Sequence, residues 1–285
     1  MIRSVLLPLS DGPMNPVTRD YAFWLARKEG GRVHALAVID VKSFEIPVLG
    51  TPDGFMPSVI TPPLAETQSL LSELLSLVRE RLEQFAADCA AAGVPSSTET
   101  RTGIPAEIIG RQAMAHDIVV MARAGYTRNA VGQGRIDPLV SQVVRSSIRP
   151  VLVTGQAFPP EGEVHRVLVA FDGSLHAARV LPAAAELGTR PGVECTIVTV
   201  APSQEAGLEV IEPAEAFLYH HGLVPKKQVI LGTRASDLIC EVAASMRADM
   251  LVMGAHGHGP VREMLFGSTT ERVLSHCGTT VLLQS

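Results

Sequence analysis

A glycine-rich segment near the end of the chain has the residue types and spacing of an anion-binding loop. The apolar residues 250–253 lead directly into Gly-Ala-His-Gly-His-Gly at 254–259. Nine residues then separate Gly257 from Gly267 and Ser268. Glycines after a strand let the backbone turn with positive φ and approach a ligand without an intervening Cβ. The sequence therefore predicts a loop that surrounds a phosphate.

The residues after Gly267 are typical of the start of a helix. Glu271 stands three residues after Ser268, which is the spacing of a capping box. The first N–H groups of a helix have no partner within it, and the helix dipole places positive charge there. We expect these N–H groups, together with the hydroxyls of Ser268 and Thr269, to suit a phosphate.

The elements that must position this loop follow from the pattern of the second half, where short apolar runs alternate with helical segments. Such runs are typical of strands buried on both faces of a parallel sheet. The predicted strands are residues 166–171, 194–200, 227–231, 250–253 and 280–283. Helices are predicted after Ser174, around 212–220, from about 234 to 246 and from Ser268, and Pro182 should kink the first of them.

The fold predicted from this alternation is α/β, a doubly wound parallel sheet of five strands in the order 3-2-1-4-5. In such a sheet Asp172, at the end of the first strand, lies beside the crevice between the first and fourth strands. Open α/β sheets bind ligands in this crevice. Asp172 also fits an ordinary turn before the helix at Ser174, and the sequence leaves both interpretations open.

The pattern occurs twice, so we predict two tandem domains, residues 1–157 and 158–285. The segments that resemble each other in the two halves are 3–12 and 165–174, 117–121 and 249–253, and 150–153 and 280–283. Residues 154–164, with two prolines and little that could pack, are predicted to be a linker.

The spacing Gly-x-x-Gly, nine residues, then Gly-Ser/Thr is matched without a gap by Gly254, Gly257, Gly267 and Ser268. With this motif the second half resembles a nucleotide-binding universal stress protein domain, and the whole chain resembles a tandem of two. The resemblance implies a Rossmann-like, adenine nucleotide alpha hydrolase-like fold for each domain. It also implies that the two domains pair edge to edge through their last strands, 151–153 and 281–283, within one molecule. It also implies ATP as the ligand, with AMP or ADP as alternatives, and Mg²⁺ held through the phosphates.

The resemblance further implies which residues bind the nucleotide. Ala170 and Asp172 would hold the adenosine, with Val200 beside them. The residues implied around the phosphates and at their junction with the adenosine are Met253, Gly254, Gly257, Gly267, Ser268 and Thr269. His256 and His258 are not expected to bind a metal, because two donors without a third make a poor site.

The first half departs from the motif. Ala122, Asp137 and Pro138 stand where the second half has Gly254, Gly267 and Ser268. A carboxylate repels a phosphate, and proline lacks the N–H group that should bind it. We therefore expect the first domain to be nucleotide-free and to serve as a structural or regulatory partner. Two further glycines leave open a different anion loop there: Gly132 and Gly134.

Composition excludes several function classes. The chain has 285 residues with 24 basic and 29 acidic side chains, a net charge of −5, which favours neither a nucleic acid nor an anionic membrane as partner. No run reaches the roughly 18 apolar residues of a membrane-spanning helix. The four cysteines are far apart without a C-x-x-C pair, so neither a zinc site nor a disulfide framework is predicted, and we expect a cytoplasmic location.

No P-loop, nucleophile elbow or dinucleotide fingerprint occurs, so the expected function is not catalytic beyond slow ATP hydrolysis. We expect an ATP-binding stress-response or signalling protein, in which the nucleotide biases conformation or association with an unknown protein partner. Two alternatives stay open: a slow metal-dependent nucleotide hydrolase assisted by His256, His258 or Arg262, and an interaction scaffold that binds no nucleotide. Homodimerisation of the whole chain also stays open.

Overall fold

The structure, a computed structural model, describes residues 2–10, 14–27, 30–40, 46–47, 59–60, 64–126, 136–255 and 268–285. The elements of the first half are β1 Ser4–Pro8, α1 Pro16–Arg27, β2 Arg32–Ile39, β3 Ile46–Pro47, β4 Val59–Ile60, α2 Leu64–Ala91, β5 Ser96–Thr102, α3 Pro105–Ala113, β6 Ile118–Met121, α4 Pro138–Ser146 and β7 Val151–Val153. Those of the second half are β8 Arg166–Ala170, α5 Leu175–Arg179, α6 Leu181–Gly188, β9 Glu194–Ala201, α7 Gln204–His220, β10 Lys226–Leu231, α8 Ala235–Ser245, β11 Met250–Gly254, α9 Ser268–His276 and β12 Thr280–Gln284.

Within the described residues, ten strands form one sheet in the order β10-β9-β8-β11-β12-β7-β6-β1-β2-β5. In each half five strands run parallel in the order 3-2-1-4-5. The doubly wound α/β fold is therefore confirmed in both halves. β3 and β4 form a separate antiparallel pair.

The two halves join through their last strands. β7 and β12 pair antiparallel, with Leu282 opposite Leu152 at the centre and one further pair on each side. This confirms the edge-to-edge pairing predicted for residues 151–153 and 281–283. Because each strand satisfies the other's backbone groups, neither presents an open sheet edge at this position.

The core lies in two layers, one on each face of the sheet. Alternate residues of a strand point to opposite faces, so Val5 and Leu7 pack in the layer that contains Phe85 of α2, whereas Leu6 packs in the layer that contains Val140 of α4. Both layers include residues of both halves. Burial on both faces explains why the strands are continuous apolar runs in the sequence.

An aspartate joins the first and fourth strands of each half. Asp117 accepts hydrogen bonds from the backbone N–H groups of Arg3 and Ser4 at 2.8 and 2.9 Å. Asp249 accepts two from residues 165–166 at 2.9 and 2.8 Å. The repeated Asp before the fourth strand thus fixes how the two central strands begin.

The segment between the halves packs more closely than predicted. Phe158 meets Tyr21 of α1 edge to face, with ring centroids 4.7 Å apart. Trp24 donates from Nε1 to Glu163 at 2.9 Å, and the Arg190 guanidinium lies 4.4 Å above its ring. The expectation that this segment has little to pack was wrong, because its aromatic and acidic side chains have partners on α1.

A half-buried arginine also links the halves. Arg123, two residues after β6, donates to the Leu274 carbonyl in α9 at 2.7 Å and to the Thr279 carbonyl. It also donates to the Thr154 carbonyl at 3.2 Å. Charge-assisted bonds of this kind are stronger than neutral ones, so the segment after β6 is firmly attached to the carboxyl end of α9.

The longest helix, α2, has 28 residues and is apolar along one stripe. Val78, Leu82, Phe85 and Cys89 are buried, while glutamates and arginines between them face outward. In the part of the chain that the structure describes, no helix is long and apolar enough to cross a membrane.

Candidate functional site

A cavity of about 100 Å³ opens at the carboxyl ends of β8, β9 and β11. β8 and β11 are the first and fourth strands of the second half, so the cavity lies at the switch point of the sheet, as expected. Its volume is below the roughly 300 Å³ of an ordinary ligand pocket, so the walls that the structure describes have room for only part of a drug-sized molecule.

Most of the predicted site residues lie around this cavity. Two of the nine predicted site residues, Gly257 and Gly267, lie outside the described residues. So do five other residues considered in the sequence analysis: Gly132, Gly134, His256, His258 and Arg262. Six of the seven that the structure describes line the cavity: Ala170, Asp172, Val200, Met253, Gly254 and Thr269. The seventh, Ser268, is exposed at the first position of α9, next to Thr269.

The inner wall of the cavity is apolar. Val198 of β9, Ile239 of α8 and Met253 of β11 contribute side chains that are at most 7% exposed. An apolar slot with a few polar groups at its rim is the usual composition of a site for a small organic molecule.

Asp172 stands at the rim and takes part in a turn. Its Oδ1 accepts a hydrogen bond from the backbone N–H of Ser174 at 3.0 Å, and Ser174 in turn caps α5 through Ala177. The turn interpretation from the sequence is thus structurally real. It does not exclude a ligand, because an exposed carboxylate accepts several hydrogen bonds and this one lines the cavity.

The amino end of α9 forms the opposite rim. Thr269 lines the cavity, and Thr270 donates from its hydroxyl to the Gly254 carbonyl at 3.4 Å, which ties α9 to the end of β11. The first N–H groups of a helix have no internal partner. The arrangement provides backbone donors and a hydroxyl within reach of one end of the cavity.

Gly254 has a packing role that its sequence context did not indicate. A Cβ at this position would lie 2.8 Å from the backbone nitrogen of Ala177 and from the carbonyl carbon of His176. Neither backbone atom can move easily. Glycine is therefore required for the close contact of β11 with α5, in addition to any role in ligand approach.

In the first half a side chain of the protein itself bridges the corresponding crevice. The Tyr126 hydroxyl accepts a hydrogen bond from the Ala122 N–H at 2.8 Å and donates to the Pro8 carbonyl at 3.4 Å. By strand register these residues correspond to Gly254 and Ala170. Burial raises the pKa of Tyr126 well above its usual range, so the hydroxyl stays protonated.

Asp137 holds this arrangement together. Its carboxylate is fully buried, caps α4 by accepting from the Leu139 N–H at 3.0 Å, and accepts from the Tyr126 N–H at 2.9 Å. The sequence indicated only that Asp137 would repel a phosphate. The role of Tyr126 was missed, since nothing in its spacing reveals that it folds back onto β1.

Comparisons with known proteins agree with this architecture. The model of the Universal stress protein family matches residues 1–155 and 163–284. The chain is 25% identical to universal stress protein Slr1230 of Synechocystis over 298 residues, covering 99% of both chains. It is 29% identical over 175 residues to universal stress protein Rv2005c of Mycobacterium tuberculosis, covering 55% of this chain and 58% of that one.

A solved structure shows the same fold along the whole chain. A universal stress protein from Archaeoglobus fulgidus superposes with a TM-score of 0.75 at 21% identity, covering 99% of this chain and 96% of that one. The family model matches the chain twice, once in each of the two halves that are joined through β7 and β12. The chain belongs to the universal stress protein family.

Proposed function

We propose that the protein is a stress-response protein that binds ATP, with Mg²⁺ held through the phosphates. The chain would consist of two tandem domains, residues 1–157 and 158–285, and the second domain would bind the nucleotide. The observation that carries the proposal is a cavity at the switch point of the second half, lined by six of the residues that the resemblance implied. The base would occupy the apolar wall, and the phosphates would extend toward the amino end of α9, where backbone donors favour an anion.

The first half supports the same proposal by contrast. There Tyr126 bridges the ends of the first and fourth strands, and Asp137 places a buried carboxylate at the start of α4. A nucleotide would have to displace the tyrosine and approach the carboxylate. One nucleotide per chain is therefore the expected stoichiometry, with the first domain as a structural or regulatory partner.

The route from the nucleotide to the rest of the molecule would be α9. Its amino end borders the cavity, and the Leu274 carbonyl near its other end is held by Arg123 of the first half. A ligand shifts a conformational equilibrium only if it favours one state. A nucleotide that moves the start of α9 toward the cavity would also shift the contact between α9 and Arg123 of the first half. Such a shift would change the conformation of the chain and so its association with a partner.

The proposal is tested by thermal unfolding of the nucleotide-stripped full chain with and without Mg-ATP. Ligand at about 100 times its Kd adds about 2.7 kcal/mol, which should raise Tm by about 5 °C. Absence of a shift, together with no adenine absorbance in freshly purified protein, would support the scaffold alternative. Steady phosphate release during the incubation would support the hydrolase alternative.

Two substitutions at Asp172 separate its turn role from the proposed ligand role. Asp172→Asn keeps an oxygen that can accept from the Ser174 N–H, whereas Asp172→Ala removes it. We expect both to weaken ATP binding about tenfold, because each loses a charged acceptor for the ribose. Only the alanine variant should lower Tm appreciably. Unchanged affinity in both, measured by titration calorimetry, would leave Asp172 with the turn role alone.

A further inference from the structure

Two histidine rings stack on each other at the amino ends of the strands of the first half. His34 lies on β2, and His116 lies in the short connection between α3 and β6. The ring centroids are 5.2 Å apart, and the ring planes differ by 16°. Both residues are partly buried, so water and salt screen a charge on one ring only incompletely from the other.

Hydrogen bonds fix both rings in place. His34 shares its Nδ1 with the Ser97 hydroxyl at 2.8 Å, and its Nε2 lies 3.3 Å from the Glu99 carboxylate. The Nδ1 of His116 lies 2.6 Å from the hydroxyl of Ser4 on β1. The ring stack and the bond to Ser4 therefore attach the connection between α3 and β6 to β1 and β2.

Glu99 is the carboxylate that faces the pair from β5. A protonated His34 would donate to it from Nε2, and Arg101 on the same strand also pairs with it. Gln112 of α3 donates to the same carboxylate at 3.1 Å. Glu99 therefore provides a partner for one protonated ring, that of His34.

His116 has a less favourable setting for a proton. The carboxylate beside it, Asp117, accepts the backbone N–H groups of residues 3 and 4. Burial first, and then the neighbouring His34, lower the pKa of His116, while Asp117 and Glu99 oppose the shift. His116 is therefore mostly uncharged at neutral pH. In acid, a second proton would place two positive charges on rings whose centroids are 5.2 Å apart, and these charges repel.

The second half has other residues at the same two positions. By strand register Thr196 of β9 corresponds to His34, and Ala248, directly before the repeated aspartate, corresponds to His116. The strands of the two halves nevertheless pair in the same order. The histidines are therefore not required for this fold, and the second half serves as an internal control.

We propose that His34 and His116 form a proton-operated latch, which holds the connection between α3 and β6 on β1 and β2 while at most one ring is charged and releases it when both are. In an open chain a histidine takes up a proton near a pH of about 6.5. Because the closed pair resists the second proton, the open form binds more protons than the closed form below that pH. The connection is therefore held most firmly above a pH of about 6.5 and opens progressively as the pH falls. The latch does not depend on the nucleotide site.

Hydrogen–deuterium exchange of the full chain between about pH 7.5 and about pH 5.5 tests the latch, with rates corrected for the intrinsic pH dependence of exchange. We expect the protection of the amides in residues 114–119 to fall by up to about tenfold per pH unit, the limit for uptake of one proton. The equivalent residues of the second half, 246–251, should show no comparable fall. Equal pH dependence in the two segments, or protection that does not change with pH, would overturn the proposal.

A double variant gives the first half the residues of the second half at both positions. His34→Thr combined with His116→Ala should keep the fold and lose the acid-dependent opening of residues 114–119. His220→Gln, which removes an exposed histidine of α7, is the matched control and should respond to pH as the unmodified chain does. The same acid response in the double variant and in the unmodified chain would contradict the latch.

The repulsion between the rings is tested separately by NMR titration of the histidines. In His34→Gln the pKa of His116 should move up toward its usual value, because the neighbouring positive charge is removed. The variant keeps a polar side chain on β2, so the fold is expected to remain. A pKa of His116 that is the same with and without His34 would show that the two rings do not act as a pair.

Discussion

Gly267→Asp should lower the affinity for Mg-ATP at least about 100-fold, or about 2.7 kcal/mol, while changing Tm little. The substitution places a carboxylate immediately before α9, where we propose that the phosphates bind. A carboxylate and a phosphate that lie close together repel each other. The first half already has an aspartate at the equivalent position, Asp137, directly before α4, so the fold accommodates that residue type there. Calorimetric titration of the variant gives the affinity directly.

Gly267→Asn is the matched control for that experiment. Asparagine has nearly the same size and also caps helices, but it carries no charge. It should retain clearly more affinity than the aspartate variant if repulsion of the phosphates is the cause. If the Gly267→Asp variant and the unmodified chain bind Mg-ATP with equal affinity, the start of α9 does not bind the phosphates.

Asp137→Ala should have the largest effect on stability, a decrease of about 3 kcal/mol in the free energy of unfolding. The substitution removes a helix cap, the bond from the Leu139 N–H, which is worth about 1 kcal/mol, and it leaves the partly buried N–H of Tyr126 without its acceptor at a cost of about 1–3 kcal/mol. The midpoint of urea unfolding should move to lower concentration with little change in slope.

Asp137→Asn distinguishes the hydrogen bonds from simple packing, because it keeps the shape and one oxygen acceptor. We expect it to cost about half as much as the alanine variant, since one of the two N–H groups keeps its acceptor. Asp172→Ala, at an exposed position, is the surface control and should cost less. An alanine variant at position 137 as stable as the unmodified chain would mean that the Tyr126 arrangement does not depend on this carboxylate.

The architecture could be predicted because its determinants are local and occur twice. Strands buried on both faces are apolar runs, so residues 250–253 and 280–283 are recognisable without knowing their neighbours. Pro182 predicted a kink, and the structure ends α5 at Arg179 and begins α6 at Leu181. The pairing of the last strands was implied by the family resemblance rather than by the residues of the strands themselves.

The features that could not be predicted depend on residues that meet only after folding. Tyr126 reaches back to Pro8, and the segment between the halves packs on Tyr21 and Trp24, contacts that no spacing in the sequence indicates. At position 254 the sequence indicated a glycine in a ligand-binding loop. Its close packing against α5 became visible only in the folded structure.

Calorimetric titration of the nucleotide-stripped full chain with Mg-ATP measures how many nucleotides each chain binds. We predict saturable binding with a stoichiometry of one per chain, because the second half has a cavity at its switch point and the first half has Tyr126 across the corresponding position. Two sites per chain would contradict the role given to Tyr126 and Asp137. No binding under conditions where the chain is folded would contradict the nucleotide site itself.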